Sequence, residues 1–274
     1  MSEIHIRESV ETDEVPRIKP APETSAIPVP FTYIPSDDGT DENILIILHG
    51  LGDTHVPFAK MGRQLKLPQT AILSLRAPEQ IPYLEEDAFQ WYTSFDHLGE
   101  LIQYPNPTPA VNRLSKVVDY LVKDCTWPAH RMHLFGFAQG GSVVAEFGVK
   151  SWNDQLQEQR TPSELPATPL PSTSLGSIVS VSGPLLSWPA LKILSPTPVL
   201  LVHRPPPSEA ALPKDAPVAY KRAFQTFLEE KLTSKHVGMP ASREEWEPIM
   251  RFWSEKFSRR KVSGLYEVMS GFAP

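Results

Sequence analysis

The apolar positions of this chain alternate between two spacings. Residues 44–50, Ile-Leu-Ile-Ile-Leu-His-Gly, form a continuous apolar run that ends at a glycine. Such a run predicts a strand covered on both faces. Thr54 caps the helix predicted over 55–67, whose basic residues gather toward its end. The theme repeats with a strand over 70–78 and a helix over 110–125. That helix places Val111, Leu114, Val117, Val118, Leu121 and Val122 on one face, with Pro107 and Pro109 where a helix start tolerates them. A strand over 130–137 leads into a helix over 139–152, and strands over 175–183 and 197–204 follow. A helix is expected over 216–232 and another over 242–257. The last carries a Ser242/Glu245 capping box and an apolar stripe of Trp246, Ile249, Met250, Trp253 and Phe257. Its tryptophans read as core anchors. Strands alternating with helices predict an α/β fold: a mostly parallel sheet with helices on both faces.

Composition divides the chain into one domain and its attachments. Residues 1–28 are polar and dotted with proline, and are expected to be a disordered tail. A single domain is expected over 29–260, with a short strand and turn at 31–43. Residues 158–174, rich in Pro, Ser and Thr, read as a surface insertion, and 261–274 as a C-terminal extension. No internal repeat is visible.

Charge and cysteine usage narrow the function. The formal net charge of -6 argues against a nucleic-acid partner. The one basic cluster, Arg259-Arg260-Lys261, reads as a solvated helix terminus. A single cysteine, Cys125, permits no internal disulfide, suits a reducing compartment, and reads as a packed core thiol. The N-terminus lacks the apolar run of a secretory signal, and no stretch approaches the ~18 apolar residues of a membrane span. The expectation is a cytoplasmic protein. The eight histidines are dispersed, with no H-x-x-x-H pair, so no metal site is expected. No cofactor is expected either, since no phosphate-binding loop is present.

Two turns carry the chemistry. His49-Gly50-Leu51-Gly52-Asp53 follows a buried strand, and its glycines let the backbone expose N–H groups of the kind that stabilise an oxyanion. Gly136-Phe137-Ala138-Gln139-Gly140-Gly141 joins a strand to a helix, the context of the G-x-S-x-G nucleophile elbow. Ala138 stands where the nucleophile belongs.

Together, "HGLGDTH" and "GFAQGG" resemble the phospholipase/carboxylesterase family of α/β-hydrolases, which includes the acyl-protein thioesterases. "LSLRAPEQIP", "FQWYTSFD" and "IVSVSG" add to a resemblance that covers about residues 30–257. It implies an α/β-hydrolase fold and oxyanion-hole amides at Leu51 and Gln139. The expected cleft at the carboxyl ends of the strands would be lined by Leu51, Trp91, Tyr92 and Phe137, and would suit an acyl chain or a lipidated protein.

The departures from the family fall on its catalytic positions. The nucleophile position is Ala138. The acid segment is "HRPPPSEAALP", where Pro207 falls near the aspartate position and Arg204 replaces a glycine; Glu209 and Asp215 are out of register. His236 falls near the family's histidine but is displaced, and is the candidate base. Ser142 and Ser182, the serines closest to the elbow, read as ordinary polar residues. Three readings stay open: a pseudohydrolase that keeps the cleft, an active esterase or thioesterase carrying an engineered Ser-to-Ala change, and a hydrolase with relocated catalytic groups. The first is the reading adopted, because the acid and the histidine depart together with the serine.

Overall fold

A computed structural model describes residues 18–82, 87–158, 174–233 and 237–259. Its main sheet has seven strands: β1 (Phe31–Ile34), β2 (Asn43–Leu48), β3 (Thr70–Leu75), β6 (Met132–Phe137), β7 (Ser177–Val181), β8 (Val199–His203) and β9 (Phe227–Lys231). The small β4 (Glu79–Gln80) and β5 (Phe89–Gln90) pair apart from it as an antiparallel ribbon. The spatial order is β1-β3-β2-β6-β7-β8-β9. Only β1 runs antiparallel to its neighbour; every other pairing in the large sheet is parallel. Central strands β2, β3, β7 and β8 are buried at every residue, which explains their unbroken apolar runs.

Helices α1 (His55–Gln64), α2 (Thr108–Lys123), α3 (Gln139–Glu158), α4 (Ala216–Lys221) and α5 (Arg243–Lys256) cover the sheet. Two apolar clusters separate its faces. One gathers Leu114, Val117, Leu121, Val144, Phe147 and Tyr220 from α2, α3 and α4. The other gathers Phe58 from α1 with Ile249, Phe252 and Trp253 from α5. Phe252 lies outside the apolar stripe read from the sequence, yet it is buried. At the α5 start, Ser242 Oγ accepts the Glu245 amide as expected of its cap.

Two expectations are corrected. The helix expected over 216–232 is only the six residues of α4, and the rest turns into β9. Ala219, Tyr220, Ala223, Phe224 and Phe227 keep helical spacing, but Phe227 already pairs with Val199 of β8. Edge strand β9 is half-exposed and lacks the apolar run that marks the central strands. The tail expected over 1–28 also ends earlier. Ile27 and Val29 join the core, the Lys19 amide donates to Asp41 Oδ2 at 2.9 Å, and the Lys19 ammonium donates to the Thr126 carbonyl at 2.8 Å. Residues 1–17, nearly all of the 158–174 insertion, and 261–274 lie outside the described residues. Among the described residues, no helix is long and apolar enough to cross a membrane.

Candidate active site

The elbow forms where β6 meets α3. Ala138 adopts φ +48°, the left-handed region that an L residue enters only at a cost. Its amide donates to the Val181 carbonyl at 2.8 Å, and its carbonyl accepts the Ser142 amide at 3.0 Å to begin α3. Crowding holds the turn. A Cβ placed on Gly140 would stand 2.5 Å from the Leu48 carbonyl oxygen and 2.6 Å from that of His49. The first turn of α3 therefore rests directly on the end of β2, and no larger residue fits there.

The same packing brings the two glycine turns face to face. A Cβ on Gly50 would lie 3.7 Å from Ala138 Cβ and 2.7 Å from the Phe137 ring. Gly50, Phe137 and Ala138 thus meet, with Leu51 and Gln139 next to them in the chain. Leu51 is 37% exposed there. Trp91 and Tyr92 lie deeper, at 2% and 6% exposed, and form packing beneath the elbow rather than open wall.

Two side chains that the sequence offered only for their motif turn out to be braces. His49 is wholly buried; its Nε2 accepts the Ala77 amide at 2.9 Å, so Nδ1 carries the hydrogen and donates to the Gly50 carbonyl at 2.7 Å. Burial pushes its pKa down to about 4 and keeps the ring neutral. The Trp91 indole donates to the His49 carbonyl at 2.9 Å. Gln139 is the second brace. Its Oε1 accepts the Trp91 amide at 2.9 Å, while Nε2 donates to the Tyr92 carbonyl at 2.9 Å and to Ser94 Oγ at 2.7 Å. One side chain therefore ties residues 91–94 to the elbow. Nothing in the stretch Trp91-Tyr92-Thr93-Ser94 just after β5 pointed to Gln139.

Ser142 is wholly buried, with its hydroxyl beside the Tyr92 phenol, whose pKa burial pushes up to about 12. It faces the interior, away from the elbow tip. Further along α3, Glu146 is fully committed: its carboxylate accepts the Leu186 and Ser187 amides and the Ser187 hydroxyl at 2.6–2.8 Å.

Two side chains, one at the end of β8 and one just after it, bond carboxylates of different elements. His203 Nε2 bonds Glu229 of β9 at 3.0 Å. Burial alone would raise the Glu229 carboxyl, but hydrogen bonds from His203 and Lys231 bring it below its ordinary value. Arg204, 1% exposed, reaches Glu245 of α5 through two nitrogens, at 2.9 and 3.3 Å. Glu245 also accepts the Ala241 amide at 2.8 Å. Arg204 appeared in the sequence only as a departure from a glycine; here it ties the acid-side segment to the helix that follows the histidine-side segment. His236, the candidate base, lies outside the described residues. Among the described residues, no three His, Cys, Asp or Glu side chains gather as metal ligands.

The elbow, the glycine turn facing it, and the order of the parallel sheet define an α/β-hydrolase. A family model described as Phospholipase/Carboxylesterase matches residues 31–157. An uncharacterized hydrolase of Mycosarcoma maydis is 36% identical over 235 residues, covering 84% of this chain and 82% of that protein. An uncharacterized hydrolase of Schizosaccharomyces pombe is 33% identical over 114 residues, covering 39% of this chain and 47% of its own length. The chain belongs to the phospholipase/carboxylesterase family. Among solved structures, Zea mays acyl-protein thioesterase 2 superposes with a TM-score of 0.60 at 19% identity, covering 83% of this chain and 99% of that one. Esterase PE8 gives a TM-score of 0.61 at 16% identity, covering 84% and 99%. At these identities the likeness is one of fold.

Proposed function

We propose that this chain holds an acyl chain or a lipidated partner over the elbow without cutting it there. The observation that carries this reading is Ala138 itself. It occupies the left-handed nucleophile turn, faces Gly50, and carries no atom that can attack a carbonyl. The buried Arg204–Glu245 pair supports it, because the segment that would present the acid instead begins with a sequestered cation. The glycine turn that carries Leu51 faces the elbow that precedes Gln139, which supports a seat for an acyl carbonyl there. Zea mays acyl-protein thioesterase 2, similar in fold, is by its name an enzyme of acylated proteins; that likeness is what suggests an acyl ligand.

The test titrates the purified chain with a fluorescent C16 fatty acyl probe and with its ester, and follows both binding and hydrolysis. Saturable binding of either, with no acyl-enzyme in the intact mass, is the expected outcome. The variant Ala138→Ser should bind as well and stay slow, because the acid side is not restored. Absence of saturable binding overturns the reading. So does turnover by Ala138→Ser that approaches an ordinary esterase.

A further inference from the structure

The strand beside the glycine turn ends in an arginine that no carboxylate neutralises. Leu75 of β3 is level with Leu48 of β2, and Leu48 with Gly136 of β6. Arg76, one residue further on, therefore stands two strands from the elbow, about 10 Å at the ordinary strand spacing. Its amide donates to the Pro30 carbonyl at 2.8 Å, which fixes the residue where β3 ends. Its guanidinium lies 4.2 Å from the centre of the Phe89 ring, a cation–π contact. Phe89 is buried, pairs with Asp53, and through its carbonyl accepts the Gly52 amide at 2.9 Å. The cation is thus held against the glycine turn itself. Arg76 Nε is closed off from water without a hydrogen-bond partner, and no carboxylate among the described residues pairs with the side chain. The acids near it in the fold bond elsewhere: Asp53 Oδ1 accepts the Thr54 amide at 2.7 Å, and Glu79 accepts Gln90 Nε2 at 3.5 Å.

His55 is the second group. Ser74 Oγ of β3 donates to the His55 carbonyl at 2.8 Å, which ties the first residue of α1 to the strand two residues before Arg76. His55 Nδ1 is buried and has no partner. Burial, and then the Arg76 charge, hold the ring below its ordinary pKa. The imidazole therefore feels the arginine. Around both groups, α1 opens with no acidic residue in its first turn and no side-chain cap from Thr54. A half-buried cation without a counter-ion is costly, and an anion bound there would remove the cost. Leu51 of the glycine turn and Val56 of α1 add exposed apolar surface next to it in the chain.

We propose that Arg76 and His55 form an oxyanion subsite for the charged head of an amphiphile, a carboxylate or a phosphate monoester, whose apolar chain runs past Leu51 toward the elbow. The course of the chain rests on the acyl-holding reading; the head site does not. The outer nitrogens of the guanidinium meet two oxygens of the head, a fork that a lysine cannot copy. Phe89 keeps that fork in place from beneath, and His55 donates through Nε2, the ring nitrogen that is not sealed in. The elbow then receives a ligand oriented from a fixed point two strands away.

The test begins with the head alone. Inorganic phosphate and acetate are titrated into the full chain, and the imidazole protons are followed by NMR, with the His55 signal assigned by its loss in His55→Gln. A saturable shift of that signal is expected in the wild type and none in Arg76→Gln. Octyl phosphate, octanoate and octanol are then compared by calorimetry. The better of the two anions should bind about tenfold or more tighter than octanol, and in Arg76→Gln that gap should shrink to about threefold or less. Arg76→Lys, which keeps a cation at this position, should lie between the two; it also serves in place of Arg76→Gln should that variant fail to melt cooperatively. A preference for octyl phosphate assigns the site to phosphate monoesters, and a preference for octanoate to carboxylates. No His55 shift in the wild type, a shift that survives in Arg76→Gln, or a gap that neither variant narrows overturns the proposal. If the head binds while octanol and the C16 probe do not, the elbow reading fails and the subsite stands.

Discussion

Replacing Arg204 by methionine should be among the most damaging single changes in the described fold. Arg204 and Glu245 are joined at 2.9 and 3.3 Å, with both side chains nearly sealed from water. Methionine keeps the length of the stem and removes the charge, so a carboxylate stays behind in the interior. Stranding one member of a buried pair costs about 3–5 kcal/mol. For a domain of this size that lowers the melting temperature by about 10 °C. The double variant Arg204→Met/Glu245→Leu removes both charges and should lie within about 1 kcal/mol of wild type, because desolvating the pair absorbs most of what their attraction returns. Urea denaturation followed by circular dichroism gives the four corners of the cycle, and a coupling of about 3 kcal/mol is expected. The single variant has a pH signature too. A lone buried carboxylate prefers its protonated form, so the gap to wild type should widen as pH rises from about 4 to 7. A loss below about 1 kcal/mol in Arg204→Met would refute the reasoning. So would a double variant as unstable as the two single losses added together.

Three further outcomes follow from the site. Ala138→Gly should raise stability by about 1 kcal/mol in urea melts, since glycine enters the +48° turn without the Cβ penalty; destabilisation would show that Ala138 packs more than it strains. Gln139→Ala removes three hydrogen bonds at 2.7–2.9 Å and should cost about 3 kcal/mol, with faster amide exchange concentrated in residues 89–94; uniform exchange would contradict its role as a brace. Burial pushes His49 down to about 4 and His133 down to about 3. Both stay neutral in the folded protein while the unfolded chain takes up protons below about pH 6.5. Stability should therefore be complete above that pH and fall as pH drops toward about 4, by about 1.4 kcal/mol per pH unit for each ring. Urea midpoints that stay flat over this range would be inconsistent with buried neutral histidines.

Periodicity recovered the central sheet because the inner strands are buried on both faces, and burial leaves an unbroken apolar run. It failed at β9, where an edge strand between solvent and β8 carries Leu228, Glu229 and Glu230 in a row, and where Phe224 and Phe227 keep helical spacing across the break. It also failed at residues 18–28. Their few anchors, Lys19 and Ile27, are too sparse to form a pattern, yet Lys19 bonds Asp41 and Thr126 and Ile27 joins the core. At the site, the two glycine turns were legible because backbone crowding demands glycine. The side chains that organise them were not. Nothing in the spacing of Gln139 and Trp91, 48 residues apart, encodes their hydrogen bond. Likewise, Ser242/Glu245 reads as a cap, and the cap forms, but the Glu245 carboxylate is spent on Arg204 and the Ala241 amide.

The elbow keeps its strain without its nucleophile, and this separates what the turn is for from what holds it. In an enzyme the left-handed residue is there to present a hydroxyl. Here the same φ persists at Ala138 because the ends of β6 and α3 have no other way to pass one another. Gly140 sits against the β2 carbonyls, the Ala138 amide is taken by Val181, and the Ala138 carbonyl opens the helix. Relaxing the turn would break those contacts, so alanine tolerates the cost. The identical conformation at Ser182, one strand over, has the same cause: its amide is taken by Val202 and Gly183 is pressed onto α3. Presentation geometry is therefore a packing property repeated along the carboxyl edge of the sheet. Chemistry depends on what side chain such a turn carries, and the methyl group of Ala138 has nothing with which to attack.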